Sequence, residues 1–276
     1  MQRDQQSLQM PGELVDVDGG VWRLDCAGQG EPTVLLEAGL GEPGLTWADL
    51  QPTLENNGRV CSYDRAGYGW SAPGQGSRDA GREATELQQL LHAAGVRGPY
   101  VMVAHSLGSF VSRIYAARYP DDIVALVLVD PTNEDSALAA GEPTIPVFVA
   151  HGQAVLSRVG VLRPFISGLV SDQVGATPPT TVTAEAPFLY RASAIDTSAA
   201  ELSASLVSAR QVVDEPILDR SLPVTVILTR QSLADATHFE VLTDATRIVD
   251  AGESSHYVHY SHPELVLAAI AASKDP

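Results

Sequence analysis

Val101-Met102-Val103-Ala104-His105-Ser106-Leu107-Gly108 is the stretch on which the reading of this chain turns. The apolar run from Tyr100 to Val103 suits a buried strand. A helical pattern follows at Phe110, Val111, Ile114, Tyr115 and Arg118. Between them stands a sharp turn with serine at its apex. Such a turn is strained and projects the serine hydroxyl clear of the backbone. It requires small residues two before and two after, here Ala104 and Gly108. The next backbone N–H, that of Leu107, lies at a helix N-terminus and can donate to an oxyanion. This is the layout of a nucleophile elbow. The pentapeptide alone is common by chance, so its meaning depends on the flanking elements and on further catalytic groups.

Working outward, Glu13–Asp18 and Gly20–Cys26 read as a hairpin around Asp18-Gly19-Gly20. Thr33–Glu37 is a buried strand, Thr46–Asn56 a helix ended by Asn57-Gly58, and Arg59–Tyr63 a strand. Asp79–Ala94 carries helical periodicity closed by Gly95. Ser106–Tyr119 is the elbow helix, stopped by Pro120, and Ile123–Val129 is an almost purely apolar strand. Such runs suit parallel strands covered on both faces. Their alternation with helices predicts an α/β fold with a mostly parallel, doubly wound sheet. Alternation breaks after Asp130 and resumes with strands at Pro223–Thr229 and Arg247–Val249 and a last helix from Pro263. Residues 131–222 are too many for a bare loop. Their helical patterns near Ala154–Leu169 and Ala199–Val213 predict a helical cap between the sixth and seventh strands, over the edge where such sheets bind ligands. The domains expected are a core of residues 1–130 and 223–276 and a cap of 131–222.

At 276 residues, 45% hydrophobic and 18% charged, the chain can bury a sizeable core. Its net charge of −17, with Lys274 the only lysine, argues against nucleic acid and gives no basic patch for anionic lipid. Cys26 and Cys61 are too few for a disulfide framework, and the reading favours buried free thiols over a cross-strand bond. No apolar run approaches the ~18 residues of a membrane span, and the polar start Met1–Ser7 lacks a signal-peptide core. The default expectation is a cytoplasmic protein, with a removed leader left open.

A serine nucleophile needs a base and an acid. Of seven histidines, His256 follows the last predicted strand directly, on the same sheet edge as Ser106. His105 points away from the apex and reads as structural. His256, His259 and His262 have a spacing that superficially suits a metal, but no Cys or carboxylate cluster completes it, so none is expected.

These features together resemble the α/β-hydrolase fold family over nearly the whole chain. Asp64-Arg65-Ala66-Gly67-Tyr68-Gly69-Trp70-Ser71 resembles the family's turn after the fourth strand. Ala104-His105-Ser106-Leu107-Gly108 resembles its elbow, and His256 to Val266 its histidine segment and last helix. The resemblance implies a second oxyanion donor after the third strand, the backbone N–H of Leu40 in Glu37-Ala38-Gly39-Leu40-Gly41-Glu42. It implies that Asp64 and Arg65 brace loops below the site. Glu37 and Glu42 read as solvated or hydrogen-bonded. The family's usual acid would fall at Arg230, Gln231 or Ser232, where no carboxylate stands; Asp235 lies slightly later. A second family solution places the acid at the end of the preceding strand, here Asp130. Asp130 is favoured and Asp235 is the alternative.

The expectation is therefore a serine hydrolase needing no cofactor and no metal, acting on a small ester-like molecule. Ser106 is the nucleophile, His256 the base, Asp130 the acid, and Leu40 and Leu107 the oxyanion donors. Serine at the apex weighs against epoxide hydrolases and haloalkane dehalogenases, which need a carboxylate there. Lactone, amide and carbon–carbon bond hydrolysis use the same residues, and a ligand-binding protein with little turnover is the contrasting class. Arg158, Arg163, Arg191 and Arg210 are among the few cap cations, so the pocket is expected to be apolar, with Phe148, Phe165, Phe188 and Tyr190 as candidate lining. Oligomeric state is not legible.

Overall fold

The computed structural model describes residues 9–141, 188 and 191–274. The expected helix at Ala154–Leu169 and the residues Phe148, His151, Arg158, Arg163 and Tyr190 lie outside that range. The described strands are β1 Glu13–Val17, β2 Gly20–Ala27, β3 Thr33–Glu37, β4 Val60–Tyr63, β5 Tyr100–His105, β6 Ile123–Val129, β7 Val224–Leu228 and β8 Thr246–Asp250. They form one sheet in the order β1-β2-β4-β3-β5-β6-β7-β8. The pairs β1–β2 and β2–β4 are antiparallel and the rest are parallel. The helices are α1 Gln51–Glu55, α2 Ala80–Ala93, α3 Gly108–Arg118, α4 Glu134–Ala140, α5 Ala192–Ser203, α6 Ser205–Asp214, α7 Ala236–Phe239, α8 Val258–Ser261 and α9 Pro263–Lys274.

The central strands are apolar throughout because both faces are covered. Alternate residues divide between two cores. Leu35, Met102, Leu126 and Leu128 join α2 through Leu87 and Leu90 and α3 through Phe110 and Ile114. Val34, Leu36, Val101, Val103, Val127 and Val129 join Trp47, Leu50, Leu54 and α9 through Val266 and Ile270. Asp79 caps α2 by accepting from the Arg82 N–H at 3.0 Å, as its place before the periodic run suggests.

Three expectations need correction. Thr46–Asn56 is not one helix. A 3₁₀ turn at Gly44–Trp47 precedes a short α1 whose first turn holds Pro52. Proline cannot donate the hydrogen bond that would carry an earlier helix through it. The elbow helix starts at Gly108, because Ser106 is left-handed at φ 50°. Cys26 and Cys61 are not free thiols. They face each other across the antiparallel β2–β4 pair with Cα atoms 4.1 Å apart and form a disulfide.

Between β6 and β7, α5 is tied to the sheet layer by Glu201, which is buried and bonds Arg65 and Tyr68. Phe188 packs its ring 4.3 Å from that of Trp70, with the Arg191 guanidinium 4.8 Å over it. With 2% of its surface exposed, Phe188 belongs to this packing. Phe188→Ala is expected to cost about 3–5 kcal/mol of stability in urea unfolding, as for other buried Phe truncations.

Candidate active site

Parallel strands deliver their following loops to one edge of the sheet, and the candidate residues all come from there. Ser106 follows β5, Asp130 ends the β6 turn, Thr229 follows β7, His256 lies beyond β8, and Gly39-Leu40 follow β3. A surface depression lined by Gly28, Gln29, Gly30, Glu31, Thr33, Arg59 and Arg97 sits at the opposite end of these strands.

Ser106 adopts φ 50°, the strained left-handed turn of an elbow. Its carbonyl accepts from the Ser109 and Thr132 N–H groups at 3.0 and 3.2 Å, which over-determines the turn. A Cβ on Gly108 would collide with the Ala38 carbonyl, so the small residue there lets the elbow pack against the β3 loop. Ser106 Oγ lies 2.9 Å from His256 Nε2, and His256 Nδ1 lies 2.6 Å from Asp130 Oδ2. The three residues thus form one continuous hydrogen-bonded line.

Asp130 is also left-handed, at φ 42°, which swings its carboxylate across to β7 and β8. Its other oxygen, Oδ1, accepts from the Thr229 N–H at 3.1 Å, the Thr229 hydroxyl at 3.2 Å and the Ser232 hydroxyl. Burial pushes its pKa up, but the bonds from His256, Ser232 and Thr229 outweigh that and hold the carboxyl below its ordinary value. Ser232 occupies a position where the family's usual acid would fall, and here it supports Asp130 instead. Asp235 turns to Asn133, whose amide donates to it at 2.8 Å.

The β3 loop is gripped from two sides. Arg65 donates to the Ala38 carbonyl at 2.6 Å and the Gly39 carbonyl at 2.7 Å. A trans peptide points its N–H opposite to its C=O, so the Leu40 N–H faces away from Arg65. Leu107, the N-cap of α3, places its N–H among the helix's unshared donors. Arg65 also pairs with Glu37 at 2.6 Å, and Asp64 holds the Gly44 and Trp70 N–H groups at 2.7 and 2.9 Å, so both brace loops below the edge. Burial raises the Glu37 pKa against the opposing Arg65 charge.

Behind this line is a cluster that the sequence did not reveal. His105 Nδ1 meets Glu42 at 3.0 Å, and its Nε2 meets the His256 carbonyl at 3.1 Å. His259 Nε2 bonds the Thr46 hydroxyl at 3.0 Å, while its buried Nδ1 has no partner among the described residues. Donor atoms of Glu42, His105 and His259 lie within 4.8 Å of one another, a spacing that a metal ion could take. The Glu42–His105 pair accounts for two of the three without one. Of the trio considered from spacing, His256 bonds Asp130, His259 bonds Thr46 and His262 bonds Glu264.

The Glu42–His105 pair carries a stability signature. Burial alone would raise Glu42, yet the His105 charge and hydrogen bond bring it down to about 2. Burial opposes charge on His105, yet Glu42 raises it above 6.5. The depressed carboxyl stabilises the fold above its ordinary 4.5 and loses that as pH falls toward about 2. The raised imidazole stabilises fully below 6.5 and loses that as pH rises through its folded value. The stability gap between wild type and Glu42→Gln is therefore expected to peak between these ordinary values, measured by urea midpoints from pH 3 to 9. A gap independent of pH would contradict the pairing.

The alpha/beta hydrolase fold family matches residues 32–247. The chain belongs to that family. Among curated relatives, it is 37% identical over 105 residues to the uncharacterized protein YqjL of Bacillus subtilis (strain 168), spanning 38% of this chain and 42% of that one. It is 36% identical over 102 residues to a putative carbamate hydrolase, RutD, of Klebsiella pneumoniae (strain 342), spanning 37% and 38%. The chain thus spans less than half the length of either. Among solved structures it is similar to the epoxide hydrolase CorEH, with TM-score 0.75, 18% identity and coverage of 94% and 96%. That likeness extends to the fold alone. No described helix of this family member is long and apolar enough to cross a membrane.

Proposed function

We propose that this alpha/beta hydrolase fold protein cleaves neutral, largely apolar carboxylic esters through an acyl-enzyme. The observation that carries the reading is the continuous line Ser106–His256–Asp130, with serine in the strained elbow. Ser106 Oγ attacks the ester carbonyl while His256 Nε2 takes its proton. Asp130 holds the His256 Nδ1–H and stabilises the imidazolium. The Leu40 and Leu107 N–H groups receive the oxyanion. The imidazolium then protonates the leaving alcohol as the C–O bond breaks. Water, deprotonated by His256, attacks the acyl-serine and releases the acid. No metal or organic cofactor enters these steps.

The apolar acyl preference rests on the composition of 131–222, read as a cap over this edge. A carbamate is the second reading, favoured by the likeness to the relative of that name; its carbonyl takes the same attack. The test is a panel of nitrophenyl esters of graded chain length alongside carbamates, lactones and amides. An initial burst of nitrophenol, followed by steady turnover that rises with acyl length, is expected. Carbamate turnover exceeding that of every ester would favour the second reading. Ligand-induced stabilisation without turnover of any substrate would replace both with a binding function.

A further inference from the structure

His105 sits between two groups that only accept hydrogen bonds. The Glu42 carboxylate meets its Nδ1 and the His256 backbone carbonyl meets its Nε2. A neutral imidazole has one N–H, so satisfying both beside an ionised Glu42 requires the imidazolium. The same Glu42 carboxylate accepts the Gly39 N–H at 2.9 Å. Gly39 immediately precedes Leu40, whose N–H is proposed to receive the oxyanion. A Cβ on Gly39 would lie 2.7 Å from His105 Nδ1, so glycine lets the loop close onto the pair. At the other end, the His256 side chain is 48% exposed, and packing alone does not fix its ring. Its carbonyl is anchored by His105, whose ring lies 4.7 Å from that of His256.

We propose that Glu42 and His105 are positioning residues, a buried relay that ties the oxyanion loop to the backbone of His256 and so sets the geometry on both sides of Ser106. This rests on the reading of Ser106, His256 and Leu40 given above. Neither relay residue touches the reacting atoms. Their effect is alignment, where displacements near 1 Å cost on the order of 100-fold in rate. The effect belongs in kcat rather than KM, because neither residue reaches the acyl chain.

The experiment measures kcat and KM for one nitrophenyl ester, per Ser106 titrated with a fluorophosphonate, in wild type and variants. Glu42→Ala and His105→Phe are each expected to lower kcat about 10- to 100-fold with KM within about threefold. The double variant is expected to fall little further than the weaker single, because the two act as one unit. Glu42→Gln should recover most of the loss. Its amide can donate to a neutral His105 Nδ1 and accept from Gly39, which preserves every bond. Should the truncations fail to fold, Glu42→Asp carries the test. The shorter side chain keeps the charge but cannot hold Gly39 and His105 together, and kcat should fall about tenfold or more. Wild-type kcat per titrated site in the folded truncations, or in Glu42→Asp if they do not fold, overturns the relay. So does Glu42→Gln as impaired as Glu42→Ala. One equivalent of divalent metal in purified wild type, lost in Glu42→Ala, also overturns it, because the ion would take the lone pairs that the relay uses. If wild type itself takes no label at Ser106, the hydrolase reading fails and the relay with it. If wild type labels and turns over, only the relay is at stake.

Discussion

Ser106→Ala is expected to lower turnover by on the order of 10⁴-fold or more, the loss expected when a nucleophile and its base act as a unit. The substitution removes one oxygen from a partly buried turn, and the backbone needs nothing from it: the Ser106 N–H is bonded to the Val129 carbonyl at 3.1 Å and its carbonyl holds Thr132. Folding should therefore be retained, and alanine meets the same left-handed strain that serine does. A fluorophosphonate should add one label to wild type, at Ser106, and none to the variant. His256→Ala should fall comparably, and the double variant should be hardly worse than either single. Labelling at another serine, or turnover surviving in Ser106→Ala, would remove the nucleophile and with it the proposed reaction.

The parts of this molecule that sequence discloses are those where one residue type answers a local physical demand. Apolar runs such as Ile123–Val129 are strands because both sheet faces are covered. The elbow is visible because Ala104 and Gly108 are small around a serine. What escapes is what depends on residues far apart in sequence. Glu42 and His105 meet across 63 positions, and neither segment alone shows that they pair. Arg230 to Ser232 looked like an empty acid position, whereas the hydroxyls of Ser232 and of the preceding Thr229 turn to an aspartate 102 and 99 residues earlier. The disulfide depends on the β2–β4 register, which sets Cys26 directly opposite Cys61. A bond of this kind is commoner in oxidising compartments than in the cytoplasm assumed from the N-terminal sequence. Thr46–Asn56 misled because its apolar spacing is helical, while Pro52 restricts where a helix can begin.

Asp130→Asn is expected to collapse turnover by about 10⁴-fold, while Asp235→Asn stays near wild type. The argument runs through donors and acceptors. Asp130 Oδ1 accepts from Thr229 and Ser232, all of which donate. In the asparagine variant the amide oxygen must stay there, so the NH₂ faces His256 Nδ1. That nitrogen must then accept, and the ring's proton moves to Nε2, toward Ser106. An imidazole protonated at Nε2 cannot take the serine proton, although every heavy atom remains in place. The melting temperature should move by only a few degrees, since asparagine retains the contacts to Thr229 and Ser232. Asp235 has no such leverage. Its carboxylate accepts from the Asn133 amide, and an asparagine oxygen can do the same. Steady-state kinetics on both variants with one activated ester decide the matter. A dead Asp235→Asn beside an active Asp130→Asn would move the acid to the position commoner in the family. Two active variants would mean that His256 works without a carboxylate. Glu37 is a poor substitute, because Arg65 and Tyr63 already engage its carboxylate.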